Sequence, residues 1–227
     1  MPLLGQAAML LSFDVVQDAI PEHDEWHTHE HLPERLSIPG FVRGTRWVAL
    51  HGQRRYFVMY EVEQLATLTS EAYLDRLNNP SPWTSKMMRY YRGMTRGFCS
   101  VAGSFGFGMG HASLLISFKP AAGAESSLRK WLLQDALPQL PSRPGIGSIH
   151  LFEGALTPQM TNEQSIRGGT DAGVDWALFA TGYSQDALAS LTRADLCDAQ
   201  LANHGATGVL DAIYRLDYAL TDREVGA

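Results

Sequence analysis

Residues 26–40, WHTHEHLPERLSIPG, return in altered form at 131–145 as WLLQDALPQLPSRPG. Sliding the chain by the 105 residues that separate Trp26 from Trp131 also lays Leu32 on Leu137, Pro33 on Pro138, Pro39 on Pro144 and Gly40 on Gly145. The same shift lays LLSF (10–13) on LISF (115–118). Coincidences that include a tryptophan and two prolines mark an internal duplication, and a repeat is settled before a fold is assigned. The period is too long for a solenoid unit and suits a duplicated domain. The first copy spans 1–103 and the second 111–227, with GSFGFGMG (103–110) reading as a flexible glycine-rich junction. The second copy carries an insertion, TPQMTNEQSIRGGTDAG (157–173), where the first has HGQRR (51–55). Its polar residues and glycines predict a long loop.

Each copy reads in one order. In the first, residues 8–16 form an apolar run of β-formers. Residues 21–36 predict a helix, with Pro21 at its first position and acidic residues in its first turn. Residues 41–50 and 55–62 predict strands that meet at a turn around Gly52. Helices follow at 66–77 and 82–92, and 96–103 closes the unit as a strand. The second copy repeats this at 112–119, 124–138, 147–153, 175–182, 184–192 and 209–220. The order is βαββαβ, the ferredoxin-like arrangement, in the α+β class. An antiparallel sheet with helices on one face must bury its other face. The second copy supplies the partner, so two four-stranded antiparallel sheets face each other and make an intrachain α/β barrel with helices outside.

Composition narrows the function. The formal charge is −6, which argues against nucleic acid as a partner, since phosphate binding needs a basic surface. No apolar run approaches a membrane span. The start, MPLLGQAAMLLSF, lacks the basic segment of a signal peptide. Cys99 and Cys197 form no CxxC pair and read as free thiols of a reducing compartment, so a cytoplasmic location is expected. There is no GxGxxG between a strand and a helix, no P-loop and no GxSxG elbow.

From Trp26 to Trp47 the chain reads W-x-x-x-E-H-L-P-E-R-L-x-x-P-G-F-x-x-G-x-R-W. This pattern resembles the dimeric α/β-barrel superfamily, near its EthD-like branches, whose helix has a WYxxEHxPE-type motif followed by PGF and a strand. The resemblance is specific over residues 9–62 and extends to the fold elsewhere. It implies a site between sheet and helices within one ferredoxin-like half. Members include cofactor-free monooxygenases, cyclases, isomerases, lyases and haem enzymes, so the fold does not choose the function. This chain departs from the pattern at His27, where tyrosine is usual, and at His29. The second copy has Leu132, Asp135, Ala136 and Leu140 at the positions of His27, Glu30, His31 and Arg35. The site is therefore expected in the first copy, with a degenerate counterpart in the second.

The α-helical wheel places His29 with Leu32 and Leu36, with Trp26 near the edge of that face. His29 is thus expected to point into a pocket, and His31 to act as an acid or base, histidine being suited to proton transfer near neutral pH. HTHEH also fits the inverted zinc-protease signature, so a divalent metal on His27 and His31 is a minority alternative, as is a histidine-ligated haem. No metal or organic cofactor is expected in the leading reading. Tyr60 and Arg46 are candidates to steady an oxyanion. Trp26, His27, Trp47, Trp83, Tyr90 and Tyr91 are candidate substrate-binding residues; aromatic stripes of this kind also build cores. The expected function is a cofactor-independent lyase or isomerase acting on a small aromatic or phenolic molecule. A cofactor-free aromatic monooxygenase and a non-catalytic ligand-binding barrel are the alternatives. A homodimer through the outer surface is compatible with all three.

Overall fold

The computed structural model describes residues 2–52, 54–156, 159–169 and 171–225. The first copy runs β1 (Ala7–Val15), α1 (Ile20–Trp26), a π-helical turn (His27–His31), α2 (Leu32–Leu36), β2 (Phe41–His51), β3 (Tyr56–Val62), α3 (Glu71–Asn78), α4 (Pro82–Met87) and β4 (Tyr91–Gly106). The second runs β5 (Ala112–Pro120), α5 (Glu125–Trp131), a second π-helical turn (Leu132–Ala136), β6 (Ile146–Leu156), α6 (Asn162–Arg167), β7 (Trp176–Gly182), α7 (Gln185–Leu191), α8 (Asp198–Asn203) and β8 (Ala206–Thr221), followed by α9 (Asp222–Val225). Among the described residues no helix is long and apolar enough to cross a membrane.

The α+β reading holds, and the two sheets merge. All eight strands close one antiparallel barrel in the order β1-β3-β2-β8-β5-β7-β6-β4. β4 and β8, 16 residues each, make the closure. The first part of each pairs inside its own copy, with β1 or β5, and the rest crosses to β6 or β2 of the other. An unpaired edge would expose a row of backbone donors and acceptors, and the extra length removes every edge. Bulges such as that between Val101 and Gly103 let the strand turn the corner. The expected junction is correspondingly shorter. Gly103–Gly106 belong to β4 and pair with β6, and the strand ends at Gly106, which has a positive φ of 84°. Tyr91 opens β4, whereas helical spacing carries the preceding helix to residue 92.

Strand alternation divides the interior. Met9 and Phe13 of β1 pack under the first copy's helices, while Ala8 and Leu10 point into the barrel. β1 and β5 stand four places apart around the ring and run in the same sense, so the pseudo-twofold axis relating the copies coincides with the barrel axis. Cys99 lies in the barrel core, where burial pushes its thiol up to about 12; neither it nor Cys197 is in a disulfide.

The first helix is interrupted by HTHEH for a reason repeated in the second copy. Pro33 has no N–H to return to His29, and its ring crowds that carbonyl. The helix widens, and the Leu32 N–H bonds to His27 O, five residues back. Pro138 imposes the same on Leu137, whose N–H bonds to Leu132 O at 2.9 Å. The repeated Pro-Gly is also structural. Gly40 and Gly145 have φ of 89° and 93°, the left-handed region. A Cβ at Gly40 would also sit 2.7 Å from Thr67 Oγ1. Gly40→Ala is expected to cost about 1–2 kcal/mol, read as a lowered urea midpoint with an unchanged m-value.

The insertion is not a plain loop. Within it α6 packs on the first copy, and Glu163 and Gln164 are buried. Its polar composition serves this burial: Glu163 pairs with Arg35, and Asn162 bonds Asn78 through its N–H and its side-chain amide. The insertion ends by pairing Ala172 with β4, where Arg96 N–H donates to Ala172 O at 2.8 Å.

Candidate active site

Between the first copy's helices and the outer face of its sheet lies a cavity of about 30 Å³. His27, His31 and Arg35 enter from the first helix, Tyr60 from β3, Tyr91 and Arg96 from β4, and Glu163 and Arg167 from the insertion. The corresponding space in the second copy is filled by leucines, including Leu128, Leu132, Leu137 and Leu140.

The histidines form a ladder. His23, His27 and His31 succeed one another with ring centroids 5.5 and 5.6 Å apart, and Trp26 lies 4.3 Å from the His31 ring. All three are buried, with His31 retaining 7% exposure against 1% for His27. Burial holds the imidazoles of His27 and His31 well below the usual histidine range, and the Arg35 guanidinium pushes the same way. Both rings are therefore neutral at pH 7. The Nδ1 atoms of His27 and His31, the Tyr60 hydroxyl and Arg167 Nε have no hydrogen-bond partner among the described residues. Burial pushes the Tyr60 hydroxyl far up, so it stays a protonated donor.

A hydrogen-bonded chain leads away from the cavity. The Tyr91 hydroxyl lies 3.1 Å from His23 Nε2, and His23 Nδ1 lies 3.0 Å from Asp24 Oδ1. The Tyr56 hydroxyl donates to the same Asp24 oxygen at 2.6 Å. Asp24 is 35% exposed, so the chain joins a buried hydroxyl to solvent. The His23 imidazole is lowered chiefly by burial, which Asp24 opposes.

Charge surrounds the cavity in pairs. Arg35, fully buried, reaches Glu163 and, at 3.1 Å, Glu34. Arg167 donates to Asp171 at 2.7 Å, and Arg96 lies 3.8 Å from the same carboxylate.

The structure brings His27, His31, Tyr60 and Tyr91 together, with Trp26 behind His31. The other residues singled out in the sequence lie elsewhere. His29 is on the surface, 65% exposed and 3.2 Å from Glu25. The π-helical turn is the cause: it breaks the α-helical spacing that put His29 on the inward face. Arg46 is buried in a pair with Asp217 at 2.7 Å and lies outside the cavity lining. Trp47 points into the barrel, across the sheet from the cavity. Trp83 donates to Glu22 at 3.2 Å, and Tyr90 packs at the edge of the helix core; neither lines the cavity. Glu30 accepts from Trp26, Ser81 and Thr84 and so fixes the first helix to α4. Among the described residues no three His, Cys, Asp or Glu side chains converge as a metal centre requires, and the cavity has no room for a porphyrin in this arrangement.

His23 was visible as the first member of a 23/27/31 series at helical spacing. Arg35 was visible as a charge that the second copy lacks. Arg96, Glu163 and Arg167 come from distant segments, and no local pattern marks them.

No family model and no curated protein matches the sequence. Solved structures share the fold at low identity. An anthrone oxidase-like protein superposes with a TM-score of 0.69 at 9% identity, over 98% of this chain and 96% of that one. A proposed monooxygenase of Fusobacterium nucleatum gives 0.59 at 9% identity, over 96% of each chain. A chlorite dismutase variant of Candidatus Nitrospira defluvii gives 0.53 at 12%, over 96% and 92%. The chain thus shares their fold, a closed antiparallel α/β barrel with both ferredoxin-like halves in one polypeptide.

Proposed function

We propose that the N-terminal cavity performs base-catalysed proton transfer on a small planar phenolic or enolisable molecule, as a lyase or isomerase that needs no organic cofactor. The observation that carries this is the pair of buried histidines that line one cavity with Tyr60, each with a ring nitrogen, and Tyr60 with its hydroxyl, lacking a partner among the described residues. A neutral imidazole accepts a proton at pH 7. His31, the more accessible of the two, takes it from a phenol O–H or from carbon next to a carbonyl. The electron pair passes to the substrate oxygen. Tyr60 O–H and the Arg167 N–H donate to that oxygen, the role the sequence assigned to Arg46. Return of the proton to another carbon completes an isomerisation; departure of a leaving group completes an elimination. Burial disfavours imidazolium until an anion forms beside it, which ties protonation of His31 to formation of the intermediate. The Tyr91–His23–Asp24 chain offers a route by which a proton reaches solvent.

A cavity of about 30 Å³ holds about two waters. An aromatic ring needs more, so α6 moves outward when substrate enters, with the Arg35–Glu163 pair as its main tie.

A second reading is that the carbanion reacts with dioxygen. The likeness to an anthrone oxidase-like protein and a proposed monooxygenase favours it. The deprotonation step is common to both, and oxygen uptake with substrate separates them.

The test is a screen of phenolic and enolisable compounds followed by single histidine replacements. His31→Ala is expected to lower kcat by about 10²- to 10⁴-fold with an unchanged far-ultraviolet circular dichroism spectrum. His29→Ala is expected to retain full activity. Undiminished turnover in both His27→Ala and His31→Ala proteins overturns the proposal.

A further inference from the structure

A second cavity, of about 170 Å³, lies inside the barrel on the other side of the same sheet. It sits on the pseudo-twofold axis, as its paired lining shows. Leu10 and Leu115 are equivalent positions of β1 and β5, and so are Ser12 and Ser117. On such an axis equal side chains would meet from both sides and fill the space. They do not, because the copies differ where they pair with these serines. Ser12 pairs with Phe57 of β3, but Ser117 pairs with Ala177 of β7. Ala177 leaves room on its side of the cavity, while Phe57 packs against Phe179 and Tyr214 with ring centroids 5.3 and 5.8 Å away. Ala212, beside Leu115 on β8, adds no bulk there.

The lining is apolar below and mainly polar above, with exposed Leu210 beside Ser117 at the mouth. Leu10, Phe57, Leu115, Ala177 and Ala212 make the floor and walls. Ser12, Ser117, Thr95, Arg54 and Asp211 stand toward the mouth, where Asp211 is exposed and Arg54 is held at 2.9 Å by Asp14. Tyr214, whose hydroxyl burial pushes up, also lines the cavity. An apolar protein cavity of about 150 Å³ stays dry and takes benzene. This one has that capacity, together with hydroxyls at one end.

We propose that the barrel interior is a binding site for a neutral monocyclic aromatic molecule. Its ring stacks in the space opposite Phe57, and any hydroxyl substituent points to Ser12, Ser117 and Tyr214. The site shares no lining residue with the histidine cavity and stands or falls independently of the function proposed there.

The experiment is a titration of the full chain with phenol and, separately, with benzene, followed by methyl NMR and thermal melting. Methyl shifts at Leu10 and Leu115, with a Tm that rises with ligand concentration, are expected. Ala177→Phe restores the twofold mate of Phe57 and is expected to weaken phenol binding at least tenfold. His31→Ala is expected to leave the Leu10 and Leu115 shifts unchanged. No binding by either probe, or shifts confined to Leu77 and Met88 of the histidine cavity, overturns the proposal. So does Ala177→Phe that folds and binds as before. Should Ala177→Phe not fold, the methyl map of the unaltered protein decides the matter alone.

Discussion

Acidification from pH 7 to pH 5 is expected to remove several kcal/mol of folding stability. His27 and His31 are held well below 6.5 in the folded protein, and His150 is lowered to about 3, in each case chiefly by burial. In the unfolded chain each titrates near 6.5. A group with a lowered folded pKa contributes stability above its unfolded pKa and loses it as pH falls toward the folded one. The loss therefore starts near pH 6.5 and proceeds at up to about 1.4 kcal/mol per pH unit for each histidine. Over this interval the three together reach roughly 6 kcal/mol at most, comparable with the whole stability of an ordinary domain, about 5–15 kcal/mol. Glu34 and Glu61, whose carboxyls burial pushes up, offset part of it, because the folded state retains their protons. Thermal melts at constant ionic strength should show Tm falling steeply below pH 6.5. Installing the second copy's residues, His27→Leu with His31→Ala, should flatten the dependence. A Tm equal at pH 7 and pH 5 contradicts the argument.

Arg35→Leu, again the residue of the second copy, is expected to destabilise the protein by about 3–5 kcal/mol. The guanidinium is fully buried and its main partner, Glu163, is 4% exposed. Removing it leaves a carboxylate in the interior with no cation in contact, which costs more than the pair contributes. Replacing both residues, Arg35→Leu with Glu163→Leu, should recover most of the loss, since two apolar side chains leave no buried charge. Urea denaturation of the two single variants and the double variant measures the coupling. An Arg35→Leu protein within about 0.5 kcal/mol of the parent, the range of an ordinary surface substitution, shows that α6 is not held this way.

The fold was largely legible because duplication prints each structural device twice. Trp26/Trp131, Pro33/Pro138 and the two Pro-Gly pairs align whatever chemistry lies between them. Closure of the barrel was legible only as a need for burial. That β4 and β8 would bridge the copies depends on strand lengths, and Gly103–Gly106 read as linker because glycine composition does not distinguish a bent strand end from a flexible joint. The candidate site was legible in part. His27, His31 and Tyr60 follow from the helix and strand that carry them. His29 was misplaced because the wheel assumes 100° per residue, and Pro33 spoils that spacing just where it matters. Trp47 and Arg46 are neighbours on one strand and so point to opposite faces; only one can serve a given cavity. The insertion's contribution was hidden, since a buried Glu163 looks like a solvated one until Arg35 is brought to it.

Fusion of the two halves has a consequence for how such a barrel can change. In a symmetric homodimer any substitution on the axis occurs twice, face to face, so a space can be opened or filled only in matched pairs. One polypeptide lifts that restriction. Phe57 remains large while Ala177 is small, and Leu132 and Ala136 can abandon polar chemistry while His27 and His31 keep it. Each half is thus free to accumulate mutations that its twin would not tolerate. The Pro-Gly turns and widened helices are what both halves have kept.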